Sequence, residues 1–266
     1  MNRDPKRNII YCLWFVFYIF IFGYFTAFLI IPFYVISFLI ALSPHAERIW
    51  RFLSGVRPLR LKSEKERLRS IFFDVYIGAV DARPRMFRGI KIFILETMDI
   101  NAYAFGRETL ILTKGSIDLL SDECIAGLMA HELGHFANGD TRMALLLKIG
   151  NLPMSLVMQA LSWARNKLKE SRGFFVSLLR GFINVFYFPL KGIDFLGELI
   201  LMHEQRKSEY LADSFAFASG YGKELAEVLS QLYQVSFSKP QSIKEMMRAT
   251  HPHITKRIER LEDMLY

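Results

Sequence analysis

Two histidines and a glutamate occur together in His131-Glu132-Leu133-Gly134-His135, an H-E-x-x-H pattern. In a helix, residues four apart lie on one face with their Cβ atoms about 5–6 Å apart. That spacing suits two imidazole nitrogens bound at about 2.0–2.1 Å to a single Zn²⁺. Glu132 lies about 100° around the axis from His131, where it can accept a proton from a metal-polarised water. The pattern predicts one zinc ion per chain, bound by His131 and His135, with Glu132 as the catalytic base.

A catalytic zinc site needs a third protein ligand and a position left for water. The histidine that continues the metzincin pattern is excluded, because Asn138 and Thr141 occupy the positions concerned. The downstream acids that could serve are Glu170, Glu198, Glu204 and Glu209. Glu209 is preferred, because Asp213 follows it by one helical turn and could accept the distal N–H of a ligand histidine. Glu204 is the alternative.

Capping and periodicity predict the elements that position this motif. Ser121 is a good N-cap and Asn138-Gly139 a good stop, so the motif is predicted to lie inside a helix. The segment Ser63 to Glu66 has the form of a capping box at the start of an earlier helix. Three strands are predicted between them, over Ile90–Ile94, Asn101–Phe105 and Leu110–Leu112. The predicted fold class is mainly α with a small antiparallel β-sheet, an α+β catalytic domain of zincin (gluzincin) type, together with transmembrane helices.

Two parts of the chain are apolar enough to interact with a membrane. Residues Tyr11 to Leu42 contain no charged side chain, and as a helix they would extend about 48 Å against a hydrocarbon core of about 30 Å. This predicts an N-terminal anchor over residues 1–44, with one span or a hairpin, since a cleaved signal peptide has a shorter apolar region. Residues 143–202 are apolar in two blocks and are predicted to form an inserted helical hairpin that spans or associates with the membrane. Residues 45–142 and 203–266 then form the metalloprotease domain.

Charge and cysteine content narrow the partners. The net charge is +8, and in a membrane protein the expected partner of such a surplus is the anionic lipid headgroup, not nucleic acid. Cys12 and Cys124 have no C-x-x-C partner, so no disulfide framework or cysteine zinc site is expected. Basic residues after the first apolar run favour a cytoplasmic catalytic domain. If residues 143–202 span the membrane as a hairpin, the basic loop from Arg165 to Arg172 would lie on the side opposite the cytoplasm, which the positive-inside tendency disfavours.

Several motifs together resemble the HtpX family of membrane zinc endopeptidases, which is related to the CAAX prenyl proteases. The matching segments are Asn101 to Gly106, His131 to His135 with Asn138-Gly139-Asp140, Arg206 to Asp213, and Thr250-His251-Pro252 with Arg257-Ile258. The resemblance implies Glu209 as the third zinc ligand. It also implies that Asn101, Ala102, Tyr103 and Ala104 form an edge strand to which an extended substrate adds. His251 is expected near the active site, where it could stabilise the oxyanion, with Tyr210 and Arg257 as rival donors.

The expected function is zinc-dependent hydrolysis of peptide bonds in membrane or membrane-proximal, misfolded proteins. The expected location is a multi-pass protein of the cell (inner) membrane with its catalytic domain in the cytoplasm. A site-2-type intramembrane protease is disfavoured, because polar residues flank the motif on both sides. A prenyl-peptide protease is an alternative within the class. A membrane scaffold or chaperone that keeps the zinc fold without turnover is the alternative from another class.

Overall fold

The computed structural model describes residues 31–43, 45–83, 89–236 and 254–265. The described part of the N-terminal apolar run forms helix α1, Ile31–Leu42. The other helices are α2 (Ala46–Leu53), α3 (Lys62–Ala82), α4 (Lys114–Leu119), α5 (Asp122–Asn138), α6 (Asp140–Gly150), α7 (Leu152–Lys167), α8 (Phe174–Ala218), α9 (Gly222–Ser236) and α10 (Ile254–Leu265). The strands are β1 (Arg57–Pro58), β2 (Lys91–Leu95), β3 (Ala102–Phe105) and β4 (Thr109–Thr113). His251 and the anchor before residue 31 lie outside the described residues.

The four strands form one mixed sheet in the order β1-β2-β4-β3. β2 and β4 are parallel, whereas β1–β2 and β3–β4 are antiparallel. The prediction of a purely antiparallel sheet was therefore wrong. The physical reason is burial: every residue of β4 is buried, so this apolar strand takes a central position. The chain reaches it by way of β3, which lies at the edge.

Helix α5 carries the H-E-x-x-H motif and lies at the centre of the core. The Ser121 side chain accepts the Cys124 N–H at 3.3 Å, and Gly139 ends the helix in the left-handed region at φ 82°. Both predicted boundaries are confirmed. The helix packs against α3, α8, α9 and β3, and its residues from Cys124 to Gly134 are all buried. The motif is therefore held by a rigid element that is surrounded on most sides.

Helix α3 begins differently from its prediction. It starts at Lys62, and its N-cap residue makes no side-chain capping bond, so the predicted capping box was wrong. Glu64 instead turns inward, 8% exposed, and accepts two hydrogen bonds from the Arg57 guanidinium at 2.9 and 3.0 Å. This two-point pair joins strand β1 to helix α3.

The Arg57–Glu64 pair makes stability dependent on pH. Hydrogen bonding from Arg57 lowers the pKa of Glu64, although burial opposes this. A carboxylate with a lowered folded-state pKa stabilises the fold above its unfolded pKa, and that stabilisation is lost as the pH falls through the folded value. We expect Glu64→Gln to lower the free energy of unfolding by about 1 kcal/mol at neutral pH. The difference from wild type should shrink below about pH 4.

Denaturant unfolding of the detergent-solubilised chain at several pH values measures this difference. Glu66→Gln is the matched control, because Glu66 lies on the same helix with a side chain that is 69% exposed. If the free energy of unfolding of Glu64→Gln were lower than that of wild type by the same amount at all pH values, the charged Arg57–Glu64 pair would not be the cause.

The turn between β3 and β4 is held from two sides. The Glu47 carboxylate on α2 accepts the backbone N–H of Arg107 and the hydroxyl of Thr109, the latter at 2.9 Å. From the other side, the Thr141 hydroxyl donates to the Gly106 carbonyl at 2.7 Å, and the Gly106 N–H donates to the Thr141 carbonyl at 3.1 Å. Thr141 lies just beyond the end of α5. These contacts fix the edge strand relative to the motif helix.

Helices α6 and α7 and the first part of α8 cover the apolar residues 143–202, which the sequence predicts to be an inserted hairpin. Helix α8 is continuous over 45 residues, about 68 Å, so the second apolar block and the polar helix predicted after it at 206–219 are one element. Within the described residues, Phe174–Gly192 is long and apolar enough to cross a bilayer. The pair Asp140–Leu147 and Leu152–Lys167, bent by 45°, passes the same test if it is counted as one span.

Candidate metal centre

Three of the predicted ligands converge where α5 crosses α8. Glu209 Oε2 lies 3.5 Å from His131 Nε2, and Glu209 Oε1 lies 3.6 Å from His135 Nε2. Ligands at about 2.0–2.1 Å from a tetrahedral ion are about 3.4 Å apart, so the observed separations fit a zinc ion among these three side chains. Glu132 is close by, since its carboxylate and the two imidazoles offer ligand atoms within 4.8 Å of one another.

Gly134 allows the two helices to approach closely enough for this geometry. A Cβ atom at position 134 would lie 2.8 Å from the Ala212 Cα and 2.9 Å from its carbonyl oxygen. Contacts that short do not occur without a shift of the backbone. One of the two variable positions of the H-E-x-x-H motif is therefore occupied by the one residue type that lets α8 bring Glu209 to both histidines.

Asp213, predicted from its spacing to orient a ligand histidine, contacts the first histidine of the motif. Its Oδ1 atom lies 3.0 Å from His131 Nδ1, which leaves Nε2 facing Glu209. Burial opposes ionisation of Asp213, but hydrogen bonds to His131 and Arg257 outweigh it and lower its pKa. Burial likewise opposes protonation of His131, yet its bonds to Asp213 and Glu209 raise its pKa to about 9. The buried carboxylates therefore favour a cation at this position.

The second histidine is oriented by two residues to which the sequence analysis assigned no role. His135 Nδ1 lies 3.3 Å from Asp140 Oδ2 and 3.2 Å from the Ser208 hydroxyl. Ser208 also donates to Asp140 at 2.5 Å. Asp140 stands inside the Asn138-Gly139-Asp140 segment of the family resemblance, a signal that could have identified it. For Ser208 the only signal was its place beside Glu209.

We expect Asp140→Asn to weaken zinc binding by about 10-fold, within the range for losing a hydrogen-bond partner of a ligand histidine. The asparagine keeps the size of the side chain but loses the negative charge of the acceptor beside His135 Nδ1. Competition with a chromophoric chelator measures the zinc dissociation constant. Asp118→Asn is the control, since Asp118 is an exposed residue paired with Lys114. An unchanged dissociation constant in Asp140→Asn would show that the contact does not support the ligand.

Arg257 closes the site from helix α10. Its Nε and Nη2 donate to the two oxygens of Asp213 at 2.8 and 2.6 Å, and its Nη1 lies 2.8 Å from Glu209 Oε2. Burial works against the charge, but the bonds to Asp213 and the nearby acids outweigh it and raise the pKa of Arg257, which keeps the guanidinium charged. One guanidinium faces Glu132, Glu209 and Asp213, and this surplus of negative charge also suits a divalent cation. Arg257, one of the two residues named as alternatives to His251 for stabilising the oxyanion, therefore lies at the site.

The edge strand β3 lies beside the motif helix. Among the described strands it pairs with β4 alone, and it packs against α5. Asn101, just before it, accepts the Ala102 N–H through Oδ1, so its Nδ2 donates to the Tyr103 hydroxyl at 3.0 Å. Burial raises the pKa of Tyr103, and the charges of Asp99 and Glu132 add to the effect. The phenol is therefore neutral and lies within the electrostatic reach of Glu132.

Two imidazoles and a carboxylate around one point, on buried helices next to an exposed strand edge, define a metallopeptidase of the H-E-x-x-H class. The sequence profile of peptidase family M48 matches residues 64–265. The chain belongs to that family.

Named relatives support the HtpX-like assignment. The chain is 28% identical over 199 residues to "Protease HtpX homolog" of Tropheryma whipplei (strain Twist), a match that covers 65% of this chain and 66% of that protein. It is 28% identical over 244 residues to the protein of the same name from Bacteroides fragilis (strain YCH46), covering 79% of this chain and 71% of that one. Among solved structures it is similar to S. mikatae Ste24p, with a TM-score of 0.47, 16% identity and coverage of 90% of this chain and 57% of that chain.

Proposed function

We propose that this chain is a membrane-bound, zinc-dependent endopeptidase of gluzincin type that hydrolyses peptide bonds of membrane or membrane-proximal polypeptides. One observation carries the proposal. The two carboxylate oxygens of Glu209 lie 3.5 and 3.6 Å from the Nε2 atoms of His131 and His135, although 78 and 74 residues separate them in the chain. Two nitrogens and one oxygen are the ligand set of a catalytic zinc that keeps a fourth position for water.

In this mechanism His131, His135 and Glu209 hold the metal and Glu132 moves the proton. The zinc ion, when bound, polarises a water molecule and the scissile carbonyl. Glu132 is not needed as a ligand, so its carboxylate accepts the proton of that water and then delivers it to the departing amine. Arg257 keeps Asp213 and Glu209 in place, and we assign stabilisation of the oxyanion to His251, which lies outside the described residues.

Substrate binds in extended form to the outer edge of β3 under this proposal. Ala102 and Ala104 have small side chains, so little bulk would obstruct a chain that pairs with the main-chain groups of this edge. Main-chain hydrogen bonds supply affinity with a loose requirement for side chains. Asn101 and Tyr103 complete the binding segment next to Glu132. This arrangement suits a protease for misfolded proteins of varied sequence.

The membrane assignment rests on the exposed apolar surface of the insertion. Phe174, Phe175 and Leu178 are 78%, 81% and 63% exposed. Exposed apolar surface of this kind is unfavourable in water and marks a site of interaction with a membrane or a partner. The Ser37 hydroxyl of α1 donates to the Gly150 carbonyl at 3.1 Å, a polar contact between two apolar helices of the kind found in lipid. We therefore propose an anchor over 1–44, a hairpin over 143–202 and a catalytic domain over 45–142 with 203–266, facing the cytoplasm of the inner membrane.

Cleavage of casein by the purified full-length chain in neutral detergent tests the enzymatic part. We expect turnover that a chelator abolishes and that added zinc restores. A scaffold or chaperone with the same zinc fold would bind casein and release it intact. Intact casein from a zinc-loaded, folded sample would overturn the proposed activity.

A further inference from the structure

A cavity of about 220 Å³ lies at the closed end of the α7–α8 hairpin. It is lined by Arg165, Asn166, Lys169, Arg180 and Asn184. All five lining side chains are polar, and three of them are cationic. We propose that this cavity binds the phosphate group of an anionic phospholipid at the membrane surface.

The cations of this cavity are uncompensated. Among the residues that the structure describes, no carboxylate lies within ion-pairing distance of Arg165, Lys169 or Arg180. The folded domain behaves differently, because Arg57 pairs with Glu64 and Arg67 pairs with Asp122. Residues 163–184 contain five basic side chains and one acid. An anion in the cavity would relieve the mutual repulsion of the three cations.

The two arginines are held in position with donors to spare. Arg180 Nη2 donates to the carbonyls of Leu168 and Ser171 at 2.5 and 2.9 Å, which brings the guanidinium from helix α8 up to the loop. Its Nε is buried and has no hydrogen-bond partner in the described part of the chain. The Arg165 guanidinium lies over the Tyr187 ring, 4.8 Å from the centroid. The face of the guanidinium contacts the ring and holds the side chain in position, while the N–H groups in the guanidinium plane remain available to bind an anion.

The surroundings favour a lipid phosphate as the occupant. On the α8 side the cavity is lined by Arg180 and Asn184, which lie within Phe174–Gly192, the helix segment long and apolar enough to cross a bilayer. Trp163, Phe174 and Phe175, on the two helices that the loop joins, are 66%, 78% and 81% exposed, and aromatic side chains concentrate where the hydrocarbon meets the headgroups. A phospholipid can place its phosphate among the cations while its chains contact these apolar side chains. A lipid phosphate site would also explain why the loop from Arg165 to Arg172 is basic, although the positive-inside tendency disfavours basic residues on the outer side.

Two lysines, one at the end of α7 and one in the loop that follows it, permit a matched test. Lys169 lines the cavity and makes no side-chain hydrogen bond to the described residues, whereas Lys167 lies outside it, 5.9 Å from the Trp163 ring. Lys169→Gln and Lys167→Gln remove the same charge from neighbouring positions, and neither is expected to unfold the chain. The thermal unfolding midpoint of the full-length chain in neutral detergent is followed against added dihexanoyl phosphatidylglycerol, dihexanoyl phosphatidylcholine or inorganic phosphate, at constant ionic strength.

We expect phosphatidylglycerol to raise the midpoint of wild type and of Lys167→Gln with the same apparent dissociation constant. Lys169→Gln should bind it about fivefold more weakly, the effect of one cation near a charged headgroup. Equal losses in both variants, or an equal response to phosphatidylcholine, would sink the proposal by showing diffuse charge or simple detergent exchange. A response to inorganic phosphate as strong as that to the lipid would also overturn it, in favour of a free-anion site. No casein cleavage is measured, so these outcomes are independent of the proposed peptidase activity.

Discussion

Glu132→Gln is expected to reduce kcat for peptide cleavage by about 10²–10⁴-fold, the contribution of a positioned general base. The reason is local. Glutamine keeps the volume and the hydrogen-bonding shape of the buried side chain, but it cannot accept the proton of the attacking water. His131, His135 and Glu209 are unchanged, so the variant should bind zinc as wild type does. Initial rates on fluorogenic casein, together with metal analysis of the same sample, measure both properties.

Glu123→Gln provides the matched control for this experiment. Glu123 lies on the same helix but in its exposed first turn, so the same chemical change there should leave both zinc content and rate unaltered. A Glu132→Gln enzyme that cleaves at the wild-type rate would overturn the assignment of the base. A variant that also loses zinc would show that Glu132 supports the metal and not only the proton transfer.

Glu209→Ala is expected to abolish zinc binding and, with it, all cleavage. The substitution removes one of the three proposed ligands. Its loss of zinc affinity should therefore exceed the loss of about 10–100-fold that is expected when only a hydrogen-bond partner of a ligand is removed. It also takes one buried carboxylate from Arg257, whose Nη1 lies 2.8 Å from Glu209 Oε2. The guanidinium keeps its two bonds to Asp213, so the chain should still fold. Metal analysis after gel filtration and competition with a chelator measure the loss.

Two companion variants make the Glu209 experiment decisive. Glu204→Ala removes the other carboxylate considered as a ligand, five residues earlier on α8, and it should retain zinc. Circular dichroism of Glu209→Ala separates loss of metal from loss of fold. Full zinc content in Glu209→Ala combined with loss in Glu204→Ala would transfer the ligand role to Glu204.

Helix α8 connects the two halves of the proposed function. Phe174, at the closed end of the hairpin, and Glu209, at the metal centre, lie on the same uninterrupted helix, about 53 Å apart along its axis. The apolar part of the helix, Phe174–Gly192, accounts for about 28 Å of that length. The proposed third ligand is therefore placed by an element whose other end we assign to the bilayer.

Much of the site could be predicted from the sequence because its signals are local. Ser121 and Gly139 mark the ends of α5, and within it the four-residue spacing places His131 and His135 on one face. The same one-turn spacing relates Glu209 to Asp213, and the structure shows Asp213 bonded to a histidine of the motif. Apolar runs likewise reveal the insertion. These properties depend on residues within one or two helical turns, where backbone geometry alone decides the neighbours.

The remaining features were decided by the tertiary structure, because they join segments far apart in the chain. The parallel pairing of β2 with β4 follows from which strand is buried on both faces. The close crossing of α5 and α8 depends on Gly134 meeting Ala212, and Ser208 reaches His135 only because of that crossing. The burial of Arg257 between Asp213 and Glu209 arises in the same way. Such contacts depend on how helices pack in three dimensions, which residue spacing along the chain does not specify.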